Sequence, residues 1–498
     1  MADQQNHRLS RAEFLKTAAL TAAGFYIVPR HVLGGPGYVA PSDTLYIAAI
    51  GCGGEGENDI HHFANAPKKN AVIAYLCDVD QRMAAPRRKE FPRAGFYEDW
   101  RELFDKAHAH FDAVTIAIPD HNHAIVALRA MQMGKHVYLQ KPLTHDIYEA
   151  RVLTEAARKY RVVTQMGDQG ASCDGMRTLR EWLEADIIGE VHTIYCWTNR
   201  PVWPQGIPWP DEHPPVPGAL NWDLWLGTAE YVDYIDNLVP FNWRGWWRFG
   251  TGALGDMGCH IIGPAFKLFE LRYPTEITCS AVTLYSGIFR EAFYQESIPP
   301  ASILRYTFPL KDGRNLRLYW MDGGLVPDRP DELAPDLNEN DALASIPPDN
   351  DYEGGSLFIG TRGKIACGWG GNHPRLLPLS LNKDIQVPQQ YPRVPGGMDG
   401  HWWQWIDACL AGYGNAEVDS PFEGYAGPLT ETVLMGNLLL RCFTLQVQEK
   451  HGNQTVLTTP GRYITYRWDG ENMRMLNFEP ANQFIKRTYR KGWGDLEL

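Results

Sequence analysis

The stretch from Leu45 to Gly56 constrains this chain more than any other. An apolar, partly β-branched run, Leu45 to Ile50, stops at glycines spaced Gly51-x-Gly53-x-x-Gly56, with Gly54 and Glu55 inside the spacing. That pattern predicts a buried parallel strand turning sharply into a helix. Gly51 lets the chain turn, and Gly53 leaves room for a pyrophosphate against the backbone. Gly56 lets the helix pack close to the strand, with its first N–H groups aimed at the phosphates. Glycine-rich turns are common, and without a ligand the same residues make an ordinary strand–turn–helix. The context decides. A second apolar run, Ala71 to Cys77, ends in Asp78, which lies 22 residues beyond Gly56. A dinucleotide site expects its ribose-binding carboxylate at that distance. A carboxylate there repels a 2′-phosphate, so NAD is favoured over NADP; Arg82 is the neighbour that argues the other way.

The alternation of strand and helix patterns continues to Met166, as in a doubly wound parallel sheet. Strands over 111–118 and 136–139 run into Pro119-Asp120-His121-Asn122-His123 and Gln140-Lys141-Pro142, and a helix over 146–160 is capped by Thr144 or Asp146. Ligands of such sheets bind beyond the carboxyl ends of the strands, where all these segments fall. Beyond Gly167 the pattern changes. A strand over 191–200 leads into a Pro- and Trp-rich loop to about residue 240. A helix over 253–269 and strand-like runs near 275–285, 301–309, 315–321 and 355–368 follow, then helices over 401–410 and 427–443. The reading is α/β: residues 42–166 an NAD-binding Rossmann domain, residues 167–498 an α+β substrate domain with an open, mainly antiparallel sheet. The last helices are placed to pack back on the first domain.

With 498 residues the chain exceeds one ordinary core. A net charge of −12 argues against nucleic acid or an anionic membrane as the main partner. Nine cysteines without paired spacing read as buried free thiols. Residues 1–41 read as a signal-like segment. Ser10 to Lys16 is similar to a twin-arginine export signal with Ala12 in place of the second arginine, and the apolar run from Ala18 to Val28 is too short to span a bilayer. That predicts a periplasmic or exported protein with no membrane span; the alternative is a cytoplasmic protein with an N-terminal arm.

Three residues carry candidate chemistry. Lys141, at a strand end on the cofactor face and partly desolvated, can accept a proton or polarise a carbonyl, or else only bridge ribose hydroxyls. Asp256 and His260 lie four apart, which places both on one helix face. An imidazole can take a carbinol proton as hydride leaves, with the carboxylate orienting the ring or binding a substrate hydroxyl; alternatively the pair is a helix-start acid and a core histidine. The pairs Asp256/His260, His121/His123 and His61/His62 have no third ligand at a recognisable spacing, so no metal is predicted. Eight of 17 tryptophans fall between Trp197 and Trp247, and indole faces suit the C–H faces of sugar rings. Most of these should pack, with one or two left for ligand.

The order of Gly51–Gly56, Asp78, Pro119–His123, Lys141-Pro142 and Gly255-Asp256-Met257-Gly258-Cys259-His260 resembles the glucose–fructose oxidoreductase/inositol dehydrogenase (Gfo/Idh/MocA) family. The segments 167–170, 197–201 and 355–363 resemble a branch of it with export signals that acts on sugars and glycosides. The resemblance implies a bound nicotinamide dinucleotide held by Gly51, Gly53, Gly54, Glu55, Gly56, Asp78, Pro119, Asn122, His123, Gln140 and Lys141. It implies Lys141 and His260 as proton-transfer candidates and Asp256 as substrate ligand or helper. Asn199, Arg200, Trp247 and Arg248 are the candidate substrate contacts, for a small sugar or glycoside. A homo-oligomer through the C-terminal sheet is also implied. The family's usual Glu-Lys-Pro is Gln140-Lys141-Pro142 here, which removes a charge beside the lysine. The activities that follow are an NAD-dependent dehydrogenase of a sugar secondary alcohol, a redox-neutral NAD-dependent glycosidase or lyase, or a non-catalytic NAD-binding sensor.

Overall fold

The computed structural model describes residues 43–332, 354–452 and 454–498. The export-signal reading falls on residues outside the described ones.

Leu45–Ile50 (β1) is the central strand of a six-stranded, all-parallel sheet, five of its six residues buried. The chain continues through α1 (Glu55–Ala64), β2 (Ala71–Cys77), α2 (Gln81–Glu90), β3 (Gly95–Tyr97) and α3 (Trp100–Ala107). It returns through β4 (Ala113–Ile116), α4 (His123–Gln132), β5 (His136–Leu139), α5 (Ile147–Tyr160) and β6 (Thr164–Met166). The strand order is β3-β2-β1-β4-β5-β6, so the chain reverses direction across the sheet between β1 and β4, where such folds open a crevice. Local chemistry fixes the helix starts. Asp80 and Asp99 accept from the N–H of Arg82 and Arg101. Asp146 caps α5 in a reciprocal box with Glu149, which decides between the two caps expected there.

The second region begins with α6 (Asp174–Glu184) and β7 (Val191–Trp197), then the Trp-rich loop with its short helix α7 (Trp222–Leu226), and α8 (Gly252–Leu268). Strands β8 (Glu276–Ala281), β9 (Tyr285–Gly287), β10 (Arg290–Glu291), β11 (Ser302–Pro309), β12 (Asn315–Met321), β13 (Gly355–Gly360), β14 (Lys364–Gly368) and β15 (Arg375–Leu377) follow. Helices α9 (Gly400–Ala411) and α10 (Gly427–Thr444) precede β16 (Val447–His451), β17 (Gln454–Thr458), β18 (Tyr466–Asp469) and β19 (Arg474–Met475). Nine of these strands form one sheet in the order β15-β14-β13-β7-β12-β11-β8-β18-β19. It is antiparallel apart from the β7–β12 pair. The expected single run over 355–368 is two strands joined by a turn at Thr361–Gly363.

Helix α9 lies against the first sheet and α1. Trp405 of α9 packs against Phe63 and Tyr138, and Trp402 stacks on His62 at 3.9 Å. Helix α10 lies against α5 and α8, and this apolar packing joins Leu45–Leu498 into one unit. All nine cysteines are free thiols, eight of them buried. Among the described residues no helix is long and apolar enough to cross a membrane.

Candidate active site

Beyond the carboxyl ends of β1, β2, β4 and β5 lies a groove of about 420 Å³. Gly51, Gly53, Gly54, Glu55, Asp78, Pro119, Asn122, His123, Gln140 and Lys141 all line it, and so does Asp256 from α8. Gly56 stands behind the wall. A Cβ there would meet the Gly51 carbonyl at 2.4 Å, so its role is the close strand–helix approach. Gly51 has φ +95°, and a Cβ on it would sit 2.1 Å from the Ala117 carbonyl. The room at Gly53 has a packing reason of its own: a Cβ would collide with the Met83 sulfur of α2. Gly54 is the glycine that faces open space, and α1 begins there with no side chain capping its N–H groups. An open loop at an uncapped helix start fits a pyrophosphate.

At the end of β2, Asp78 accepts from the N–H of Cys52 (2.7 Å) and of Asp80 (2.8 Å). Burial outweighs these donors and lifts its carboxyl to about 6. Arg82 does not turn toward the groove. Asp80 holds its guanidinium in a two-point pair, Nε–Oδ1 2.9 Å and Nη2–Oδ2 2.6 Å.

The residues after β4 hold the wall rather than reach into it. Asn122 donates to the Trp225 carbonyl and accepts from the Thr228 N–H (3.0 Å). Both ring nitrogens of His121 face carbonyls, those of Phe249 and Trp225, and burial depresses its pKa to about 3. His123 faces the carbonyls of Ile118 and Pro142, which pins the Lys141-Pro142 turn to α4. Among the described residues no cluster of three or more His, Cys, Asp or Glu is arranged to hold a metal.

Gln140 points away from Lys141. Its amide donates to both oxygens of the fully buried Asp59 (3.0 Å each), which also accepts from the Trp402 indole (2.8 Å). Asp59 thus ties the Gln140 amide and the Trp402 indole to α1. Burial pushes the Asp59 carboxyl well up, against the pull of its donors.

Lys141 is ion-paired with Asp256. Its Nζ donates to the Asp256 carbonyl (2.7 Å) and to Asp256 Oδ1 (3.1 Å). Arg244 Nε reaches the same Oδ1 at 3.4 Å, and Arg200 Nε lies 3.7 Å from Oδ2. Burial alone would raise Asp256, but Lys141, Arg244 and Arg200 overcome it and hold the carboxyl well below the usual range. Arg244 is fixed from behind by the rings of Trp243 and Phe241, 4.4 and 4.5 Å from its centre.

His260, one turn further along α8, has a different partner from the one its spacing suggested. Its Nδ1 lies 2.8 Å from Asp168 Oδ1, just beyond β6, while Asp168 Oδ2 accepts from the Tyr425 hydroxyl at 2.8 Å. The edge of Trp369 covers the ring. His260 and Asp168 are both buried. A shared helix face therefore does not make Asp256 and His260 a pair: cations claim one and a carboxylate from the first sheet claims the other. Asp168, Tyr425 and Asp59 escape a sequence reading, because each acquires its role from a residue far away in the chain.

The candidate substrate contacts separate. Arg200 joins the Asp256 cluster and bonds the exposed Asn199 (3.2 Å). Trp247 and Arg248 line a second cavity instead, together with Gly250 and Thr251. Of the loop tryptophans only Trp225 and Trp243 line the groove. Trp222 stacks on Trp225 at 4.9 Å, and Trp209 packs edge-on against Trp246.

Residues 45–168 match the family described as an oxidoreductase family with an NAD-binding Rossmann fold, GFO_IDH_MocA. Residues 192–281 match that family's C-terminal alpha/beta domain. These two segments carry the chain's likeness to the Gfo/Idh/MocA family. It is 23% identical over 199 residues to a levoglucosan dehydrogenase of Pseudarthrobacter phenanthrenivorans, covering 39% of this chain and 42% of that protein. It is 27% identical over 177 residues to a glycosyl hydrolase family 109 protein of Shewanella pealeana, covering 30% of this chain and 38% of that one. The chain thus spans about two-fifths of the length of these relatives. In fold it is similar to a levoglucosan dehydrogenase solved with NADH and L-sorbose, with TM-score 0.53, 16% identity, and 79% of this chain and 96% of that one covered.

Proposed function

We propose that the chain is an NAD-dependent oxidoreductase acting on a secondary alcohol of a sugar or glycoside. The observation that carries this reading is that Lys141 and Asp256 line the same groove as Gly51, Gly54 and Asp78. The dinucleotide-type residues and Asp256 of α8 therefore share one space. NAD rather than NADP is supported by Asp78 at the ribose position and by Arg82 being occupied with Asp80.

A nicotinamide bound here accepts or returns the hydride; the protein's work is positioning and proton handling. Lys141, kept in an ion pair by Asp256, acts as a donor that holds the reacting oxygen and stabilises its developing negative charge. His260, its Nδ1 engaged by Asp168, has Nε2 as the atom left to accept the hydroxyl proton. The carbohydrate relatives, levoglucosan dehydrogenase among them, support the substrate class.

Mass spectrometry of the denatured, purified protein for released NAD or NADP tests the cofactor. A panel of sugars and glycosides followed at the reduced-nicotinamide absorbance tests the reaction. Neither nucleotide released and no turnover across the panel would overturn the reading. The match to a glycosyl hydrolase family 109 protein keeps a second reading in view, a redox-neutral glycosidase. Hydrolysis of an aryl glycoside without net NADH would select it.

A further inference from the structure

The second cavity, about 560 Å³, lies between the start of α5, the Trp247–Thr251 segment, α10 and the chain near Phe484. Its wall carries a guanidinium that feels Glu296 and Asp146 but that no carboxylate reaches at ion-pair distance. Arg441 of α10 is partly buried, its guanidinium 4.3 Å from the centre of the Phe484 ring and 5.6 Å from that of Trp247. No ion pair or hydrogen bond to it exists among the described residues. Lys486, on the rim, has its Nζ 4.1 Å over the Tyr148 ring and likewise meets no carboxylate among the described residues.

The other cations of the wall are already answered. Arg248 pairs with Glu230 and Glu296, and Arg487 pairs with Glu149 and Asp146. The wall also holds an unanswered acceptor. Asn437 donates its amide to the Thr251 carbonyl (2.8 Å), but its buried Oδ1 receives no hydrogen bond. Buried groups left in this state are the exception in folded proteins and call for a partner. The missing partner has an anionic end for Arg441 and Lys486 and a hydroxyl to donate to Asn437. Its charge-assisted bonds to a guanidinium already held by two rings would be strong ones.

We propose that this cavity is a binding site, separate from the dinucleotide groove, for a small polyhydroxylated anion: a sugar bearing a phosphate or a carboxylate. Trp247 serves it by backing the Arg441 guanidinium, and the site does not depend on the oxidoreductase reading.

Calorimetric titration of the full-length protein with glucose 6-phosphate, gluconate and glucose provides the test. One of the two anions binds at about one per chain while glucose gives no heat, and which anion binds identifies the charged group. Arg441→Gln weakens that binding at least tenfold. Lys141→Met leaves it unchanged, which separates this cavity from the groove. If Arg441→Gln does not fold, the rim variant Lys486→Gln decides, with an expected threefold loss. No heat with either anion overturns the proposal. So does undiminished binding to the deciding variant, or binding that disappears with Lys141→Met.

Discussion

Two successive turns of helix α8 solve opposite electrostatic problems. At Asp256 a single carboxylate gathers Lys141, Arg200 and Arg244, which arrive from the end of β5, the end of β7 and the Trp-rich loop. At His260 an imidazole receives a carboxylate from beyond β6 and, through it, a phenol from the segment before α10. The first turn is a fixed field of charge in which an anionic oxygen is welcome. The second is an imidazole with one nitrogen held by a carboxylate. Residues four apart on a helix share a face, but the elements packed against that face decide their chemistry.

The division of labour is broken most severely at its two ends. Lys141→Met and His260→Ala should each lower kcat/KM by about 10³ or more, the range for a lost charge stabiliser or general base. Lys141→Met should still release NAD on denaturation. A fully active Lys141 variant would remove that residue from the chemistry. Asp256→Asn should fail differently, leaving three cations around a neutral amide. It should lose stability, roughly 3 kcal/mol by chemical denaturation, as well as turnover. A variant as stable as the wild type would mean that the three cations are held apart without their shared carboxylate.

Asp168→Asn sharpens the contrast from the other turn. Asparagine keeps the shape and can accept from the imidazole but carries no charge, so kcat should fall about 100-fold with KM nearly unchanged. Asp168→Glu should recover part of it. An equal rise in KM would instead assign Asp168 to substrate binding.

The same two turns show what could be read in advance. The strand into Gly51–Gly56, the acid at the end of β2 and the lysine at the end of β5 were legible because each is a local pattern whose chemistry follows from its position on one sheet. The α+β character of the second region was legible from strand-like runs. The partners of His260 and Gln140 were not. Asp168 lies 92 residues from His260, and Asp59 lies 81 from Gln140, so the neighbour in sequence, Asp256, stood in for the neighbour in space. Trp247 and Arg248 stand out by residue type alone, and an irregular loop gives no period from which to tell which cavity a side chain enters. The parallel β7–β12 pair is likewise a property of topology.

The smallest expected effect concerns the turn rich in charge. Asp120 lines the groove beside that cluster and accepts from Thr251 Oγ1 at 2.6 Å. Burial is the largest influence and lifts its carboxyl to about 7, against the Thr251 hydrogen bond and the pull of Arg244 and Lys141. Between about pH 4 and pH 7 the folded protein therefore holds a proton that the unfolded chain has released. The sign follows: this residue's contribution is fully present below about pH 4 and is lost as the pH rises through 7. The wild type should lose roughly 2–3 kcal/mol from this residue between pH 5 and pH 8. Asp120→Asn, which cannot ionise yet still accepts from Thr251, should lose less over the same interval in parallel denaturation curves. Identical pH dependence in the two proteins would mean that Asp120 is ionised throughout, and that the cations at Asp256 extend their field one residue layer further than the burial of Asp120 allows.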